Sequence, residues 1–281
     1  MIIRPHWSYS QLAQYLRCPL QYYFERVAKL PRPFVASGMA LGSAVHTSLA
    51  EYHLHVQQNQ AVPDGHIQQT FVTALANQVQ SAPIQFRNGE TKSELIDDGV
   101  ALIEMYLSEP PPRNIVGIEQ QFIVPIRNSA GEFLEKPLVA IVDLLTKDES
   151  GLTVTELKTA SKRYSDNGAD RVLQATCYRH AVEERFDEPA SVTYKVLVRT
   201  KTPTLQEVEA DRDFLDAGRL GDVIETVERA IAAEAYYPIA SAMNCATCPF
   251  YKPCREWTGR QPVEEADPQR QTNRGRELVA C

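Results

Sequence analysis

Three cysteines lie close together near the end of the chain, in Cys245-Ala-Thr-Cys248-Pro-Phe-Tyr-Lys-Pro-Cys254. This spacing brings three thiolates within reach of one metal centre, but a closed structural site of this kind needs four ligands. Cys18 lies more than two hundred residues upstream and could supply the fourth thiolate. If it does, the fold must bring the two ends of the chain together.

The sequence leaves open which metal centre the cysteines bind and which cysteine is the fourth ligand. Four thiolates suit either a zinc ion or a cubane iron–sulfur cluster. Reduced, unliganded cysteines are the alternative, although random cysteines seldom cluster with this spacing. Cys177 is the rival fourth ligand, and Cys281 lies on a charged tail. Cys18 ends an amphipathic segment and precedes Pro19, a fixed turn that can present a thiolate, so we favour Cys18.

The composition is that of an ordinary globular protein, with 43% apolar and 23% charged residues. The amino terminus lacks the apolar stretch of a signal peptide, and no run approaches the ~20 apolar residues that span a bilayer. We therefore expect a cytoplasmic protein with no membrane partner. The net charge of −7 argues against an all-over basic nucleic-acid binder. Between Lys158 and Lys201, however, nine Lys or Arg outnumber six Asp or Glu, which allows a local basic channel.

Hydrophobic periodicity divides the chain into a helical first part and a sheet-containing middle. Ser8 and Gln11 have capping-box spacing and mark the first helix start. The pattern indicates an α/β (α+β) fold with a central mixed sheet flanked by helices. The predicted helices cover 38–58, 64–80, 93–108, 170–186 and 214–235, and the predicted strands cover 116–126, 138–145, 152–158 and 192–198.

We predict a single domain over residues 1–260. It has a helical part over about 8–108, a core over about 114–200, and a last helix with the cysteine cluster over about 212–258. Residues 261–281 are charged and rich in Gln, Arg and Pro, so we expect a disordered tail.

An acidic and basic group of side chains is predicted at the end of neighbouring strands. Glu156 and Lys158 are two apart on a strand, so both point to the same face. A hairpin through 148–151 would fold Asp143, on the preceding strand, towards Glu156. Two carboxylates repel unless a hard divalent cation binds between them, and a lysine beside them can stabilise a phosphate oxyanion. Taken alone, the pair is also typical of a solvated ion pair on a sheet.

The wider set of residues resembles the PD-(D/E)xK nuclease superfamily, specifically its RecB-like iron–sulfur branch. That branch includes exonuclease V and the CRISPR-associated adaptation nucleases. The resemblance rests on a series of elements that occur in the family's order, from Cys18 to Cys254. The sequence departs from the family pattern at Ala140, where many members have glycine. The matching elements are Cys18, Gly42-x-x-x-His46, Asp143, Glu156-Leu157-Lys158-Thr159, Gln174-x-x-x-Tyr178, Cys245, Cys248 and Cys254.

The resemblance implies a restriction-endonuclease-like core and a role for each matching residue. Asp143, Glu156 and Lys158 would be catalytic, and Gln174 with Tyr178 would position the nucleic acid. The ligands of a catalytic Mg²⁺ or Mn²⁺ would be His46, Asp143, Glu156 and the backbone carbonyl of Leu157. A structural 4Fe-4S cluster would be held by Cys18, Cys245, Cys248 and Cys254.

The implied function is that of a metal-dependent DNA exonuclease acting on single-stranded DNA or DNA ends. The alternative is a nucleic-acid-binding or CRISPR-adaptation subunit that hands DNA to a helicase or an integrase. The chain contains no helicase P-loop motif, so it lacks its own motor.

Several other ionisable residues could belong to a site. We expect Glu51 and Glu119 to be structural rather than metal ligands. We expect four further histidines at the surface: His53, His55, His66 and His180.

Overall fold

The computed structural model describes residues 5–165 and 168–259. Helices build most of the first hundred residues and return near the end, as the periodicity predicts. The Ser8 N–H donates a 3.0 Å hydrogen bond to Gln11 Oε1, in agreement with the predicted capping pair. The helices are α1 (Tyr9–Arg17), α2 (Pro19–Tyr22), α3 (Ser37–Gln57), α4 (His66–Ser81), α5 (Lys92–Leu107), α6 (Leu173–Phe186), α7 (Asp216–Ala232), α8 (Ala242–Cys245) and α9 (Tyr251–Glu256).

Strands occupy the middle of the chain, with short additional strands before it. The predicted strands are confirmed, each with bounds that differ by a few residues. The strands are β1 (Trp7–Ser8), β2 (Val35–Ala36), β3 (Ile84–Gln85), β4 (Ile115–Val124), β5 (Leu138–Asp148), β6 (Gly151–Ala160), β7 (Ala190–Val198) and β8 (Thr204–Glu209).

The main sheet is mixed, as predicted, and has six strands within the described residues. Its order is β1-β5-β6-β7-β8, and β4 pairs antiparallel with β5. Strands β5 and β6 form an antiparallel hairpin, whereas β6 and β7 are parallel and are connected through α6. The remaining strands, β2 and β3, form a separate parallel pair.

Each face of the sheet has its own hydrophobic cluster. One cluster packs α1, α6 and α7 against side chains such as Val154 and Val196. The other packs α3, α4 and α5 against Leu157 and Leu197. Because side chains alternate along a strand, β6 contributes to both clusters, and the sheet is covered on both faces.

A third, smaller cluster joins the two ends of the described chain. Its buried members are Leu20, Phe24 and Phe250, and the rings of Phe24 and Phe250 lie 5.8 Å apart between centroids. The Asn244 side chain also donates a 3.1 Å hydrogen bond to the Arg17 carbonyl. The segments that carry Cys18 and the late cysteines are therefore in contact.

The sequence analysis did not predict two strands of the main sheet, the two-residue β1 and the strand β8. Strand β8 alternates weakly and lies at a sheet edge, where only Gln206 and Val208 are buried. The single domain over 1–260 remains a prediction, and the expected tail over 261–281 lies outside the described residues.

Helix α7 approaches the backbone of the loop after β4 so closely that only glycine fits at position 221. A Cβ on Gly221 would lie 2.1 Å from the Arg127 carbonyl oxygen, whereas a Cβ on Gly38 of α3 would meet only a flexible arginine at 3.4 Å. We expect Gly221→Ala to lower the free energy of unfolding by about 1–3 kcal/mol, because rigid backbone must move. The matched Gly38→Ala should be neutral or stabilise by up to about 1 kcal/mol through helix propensity. Urea unfolding of both variants checks this, and equal effects would contradict the close approach.

Candidate active site

The site forms where strands β5 and β6 separate. Their pairing runs from Asp148–Gly151 to Leu144–Thr155 and stops there. Asp143 and Glu156 are the next residues on the two strands. Because the pairing with β5 has ended here, although that with β7 continues, the Leu157 N–H donates instead to Asp143 Oδ2 at 2.8 Å. The carboxylate thus replaces a strand-to-strand hydrogen bond and is fixed at the gap.

Helix α3 supplies the imidazole on one side of the gap. His46 Nδ1 lies 3.2 Å from Asp143 Oδ1. One turn earlier, a Cβ on Gly42 would lie 3.1 Å from Thr159 Oγ1, so glycine permits the close approach of α3 to β6. Burial lowers the pKa of His46, but the bond to Asp143 and its charge raise it above its usual value. Burial alone would raise the pKa of Asp143. The hydrogen bond and charge of His46 and the hydrogen bond from the Leu157 amide outweigh burial and lower this pKa below its usual value.

Glu156 is the most enclosed carboxylate of the site, with 2% of its surface exposed. Its Oε1 accepts hydrogen bonds from Lys158 Nζ at 2.5 Å and Gln174 Nε2 at 2.7 Å. Its Oε2 is buried and has no hydrogen-bond partner among the described residues. Burial and the charge of Asp143 raise the pKa of Glu156 to about 7, against the lowering effect of Lys158. An unpaired buried oxygen of this kind is available for a cation.

Lys158 lies on the same side of β6 as Glu156, as the alternation predicts. Burial lowers the pKa of Lys158, but the charge and hydrogen bond of Glu156 raise it above its usual value. The ammonium group is therefore charged at the mouth of the gap, where it favours an anionic substrate.

Helix α6 supports Glu156 from the other side of the gap. Gln174 Nε2 donates both to Glu156 and to Tyr178 Oη, the latter at 2.8 Å. Both side chains are buried, so the contacts described here are with Glu156 and with each other. Direct contact of Gln174 and Tyr178 with nucleic acid stays a prediction.

Glu119 also reaches the site, although the sequence favoured a structural role. The pairs Ile118–Leu144 and Gln120–Val142 place Glu119 opposite Asp143. Ligand atoms of His46, Glu119 and Asp143 all lie within 4.8 Å of one another. Burial, with the charge of Asp143, raises the pKa of Glu119.

The backbone at Glu119 explains why the sequence did not indicate this position. Its φ of 46° lies in the left-handed region, which is uncommon for a non-glycine residue inside a strand. An alternating polar and apolar pattern cannot reveal such a local distortion. A cavity of about 500 Å³ opens beside it and is lined by Gly42, Ser43, His46, Thr47, Ala50 and Glu119.

The prediction that His53 is a surface residue is wrong. Its side chain is fully buried, and its Nε2 lies 2.9 Å from Tyr106 Oη. Burial lowers the pKa of His53 to about 4, so the ring is neutral. The apolar face of α3 that holds it continues further than the sequence spacing indicated. The other three histidines, His55, His66 and His180, are partly exposed.

The cysteines separate into two environments. Cys177, the rival fourth ligand, is fully buried in the sheet cluster, and burial raises its pKa to about 12. Cys18, Cys248 and Cys254 border the small cluster that joins the chain ends. Cys245 ends α8, and its carbonyl accepts a hydrogen bond from the Cys248 N–H at 3.3 Å. Burial raises the pKa values of Cys248 and Cys254, and the charges of Cys18 and Cys245 raise both of them further.

Within residues 5–165 and 168–259, no helix is both long and apolar enough to cross a membrane.

Comparison with known proteins identifies a family. The model of the PD-(D/E)XK nuclease superfamily matches residues 6–255. None of the curated proteins matches the chain. A crystal structure from Eubacterium rectale, described as that of a candidate exonuclease, is similar with 13% identity and a TM-score of 0.54, covering 96% of this chain and 93% of that one. At this identity the likeness concerns the fold alone.

A second solved structure, that of SSO0001, has 15% identity and a TM-score of 0.31, with 86% of this chain and 92% of that chain covered. A TM-score this low supports no inference about this chain.

The Gln174 side chain should matter for stability as well as for the site. We expect Gln174→Leu to lower the free energy of unfolding by about 1–3 kcal/mol in metal-free buffer, because Glu156 and Tyr178 lose a buried partner. Tyr178→Phe keeps the bond between Gln174 and Glu156 and should cost less. Denaturant unfolding measures both. A Gln174→Leu protein as stable as the wild type would contradict this role.

Proposed function

Because the chain belongs to the PD-(D/E)XK nuclease superfamily, we propose that it is a metal-dependent exonuclease that hydrolyses phosphodiester bonds in DNA. The single observation that carries this proposal is the pair Asp143 and Glu156, fixed where two strands separate, with Lys158 beside it. A purely structural ion pair has no need of a second buried carboxylate or an unpaired Glu156 oxygen.

The donor set fits a divalent cation that prefers oxygen ligands. Glu156 Oε2 is free of protein partners among the described residues, and Asp143 follows the last β5–β6 pair at the corresponding position on β5. Mg²⁺ or Mn²⁺ would be held by Asp143, Glu156, His46 and the Leu157 carbonyl. Glu119 would be a further ligand, because its ligand atoms and those of His46 and Asp143 already lie within 4.8 Å of one another. When bound, the ion supplies Lewis-acid polarisation of the phosphate and activation of water.

The protein side chains have distinct tasks in this proposal. Lys158 places its ammonium group against the charge that develops on the scissile phosphate. Gln174 holds Glu156 in position, and the Leu157 amide holds Asp143. These fixed partners keep the two carboxylates in place despite their repulsion, so little reorganisation is needed when substrate binds.

Single-stranded DNA or DNA ends are the substrates we propose. Two observations support an anionic strand near the site. The segment after β6 exposes Lys162 and Arg163, and Arg171 is exposed just before α6. These cations follow the site residues directly in the chain and can bind phosphates. A helicase or a CRISPR integrase is the proposed protein partner, since the chain has no motor motif of its own.

We also propose that Cys18, Cys245, Cys248 and Cys254 hold a structural 4Fe-4S cluster. Three of them border one apolar cluster, and burial together with the charges of Cys18 and Cys245 raises the pKa values of Cys248 and Cys254. Four thiolates suit a cubane iron–sulfur cluster or a zinc ion, and the resemblance to the iron–sulfur branch favours the cluster. The cluster would join the ends of the chain.

Removing a central side chain should abolish cleavage. We expect Lys158→Ala and Glu156→Ala each to lower the cleavage rate of a labelled single strand by about two to three orders of magnitude, as for loss of one group that stabilises developing charge. Lys147→Ala is the matched control, because Lys147 pairs with Glu188 at an exposed position. DNA binding without cleavage by the wild type would instead favour the non-catalytic subunit.

Activity should require a divalent ion. Cleavage should disappear in excess EDTA and return with Mg²⁺ or Mn²⁺, and Mn²⁺ should be the better ion because imidazole suits transition metals. Full activity of the metal-stripped protein in EDTA would rule out the proposed site.

The cysteine assignment is tested by Cys18→Ser and Cys177→Ser in anaerobically purified protein. The first should lose the broad visible absorbance of a cubane cluster and unfold more easily, because a clip that closes a very long loop is removed. The second should keep the absorbance. Bleaching by Cys177→Ser alone would show that the ligand assignment is wrong.

A further inference from the structure

Three side chains of the type that bind metals meet at one end of α3, away from the candidate active site. Glu51 and His55 are one turn apart on α3, and His66 is the first residue of α4. Their ligand atoms all lie within 4.8 Å of one another. The rings of His55 and His66 meet edge to face, with centroids 5.4 Å apart. From the sequence alone, we expect a structural glutamate and two surface histidines at these positions.

The distances fit a metal site better than a set of ion pairs. Glu51 Oε1 lies 3.5 Å from His55 Nε2 and 3.4 Å from His66 Nε2. A charge-assisted hydrogen bond would be shorter, at about 2.7–2.9 Å. In a tetrahedral zinc site with bonds of about 2.0–2.1 Å, neighbouring ligand atoms are about 3.3–3.4 Å apart. The carboxylate oxygen is therefore spaced from both nitrogens like one corner of such a site.

We propose that Glu51, His55 and His66 form a second, surface site for a transition-metal ion such as Zn²⁺. Two imidazoles and a carboxylate suit zinc rather than magnesium, and a water completes the coordination. The side chains of Glu51 and His66 are each 39% exposed, which gives an ion access from solvent.

A bound ion would pin the last turn of α3 to the first turn of α4. The connection between these helices, residues 58–65, would then be closed by a metal bridge. The same helix α3 carries His46, so the bridge would stiffen the scaffold of the candidate active site without contributing to it. The Nδ1 of His55 is buried without a partner among the described residues, so the site lacks one supporting hydrogen bond. We expect it to be about 10–100-fold weaker than a fully supported site.

The test is zinc binding measured by calorimetry. The cysteine site keeps the metal centre with which the protein is purified, and saturating Mg²⁺ together with His46→Ala removes competition from the candidate active site. His55→Gln and His66→Gln should each bind one zinc equivalent fewer than this background. His180→Gln should bind as many, because His180 only bonds the Pro125 carbonyl. Unchanged stoichiometry in both site variants would overturn the proposal.

A second measurement separates coordination from mere loss of an ion pair. In the same His46→Ala background and saturating Mg²⁺, zinc at 100 times its dissociation constant should raise the unfolding temperature by roughly 5 °C or more. Adding His66→Gln should remove this zinc-dependent rise and leave the unfolding temperature in EDTA unchanged within about a degree. An equal zinc-dependent rise with and without His66→Gln would contradict the site.

Discussion

The candidate site depends on the separation of β5 and β6 beyond the pair Leu144–Thr155. A continued hairpin would satisfy the Leu157 N–H with a carbonyl of β5 and leave no space between the strands. Because β5 and β6 part, the amide bonds to Asp143 instead, while Glu156 keeps its strand pairing with Tyr194 of β7. The Asp143 carboxylate therefore replaces a backbone carbonyl as the acceptor for the Leu157 N–H. The amide keeps a hydrogen-bond partner, and the space between the strands can admit a cation.

The gap is supported from both faces of the sheet. Helix α3 comes close enough at Gly42 for His46 to reach Asp143, and α6 places Gln174 against Glu156. Each carboxylate is therefore held by a different helix, and each helix is anchored in a different hydrophobic cluster. This division links the packing of both sheet faces to the geometry of the site. The contact between the chain ends lies apart from it, at the cluster around Phe24 and Phe250.

Much of this arrangement could be predicted from the sequence because it follows from periodicity. Alternation placed Glu156 and Lys158 on one side of β6, and the predicted hairpin brought Asp143 to the same end. Features set by tertiary geometry could not be predicted. Glu119 enters through a left-handed residue inside a strand, and His53 is buried by helices that pack from distant parts of the chain. Edge strand β8 was missed because solvent covers most of its side chains.

The central claim is that the residues at this gap bind one divalent ion together. Anomalous diffraction from crystals soaked in Mn²⁺ tests it most directly. We expect a manganese peak within bonding distance of Asp143 and Glu156, with His46 beside it. A well-ordered Asp143–Glu156 gap without manganese, in crystals of a protein that cleaves DNA with this ion, would contradict the account.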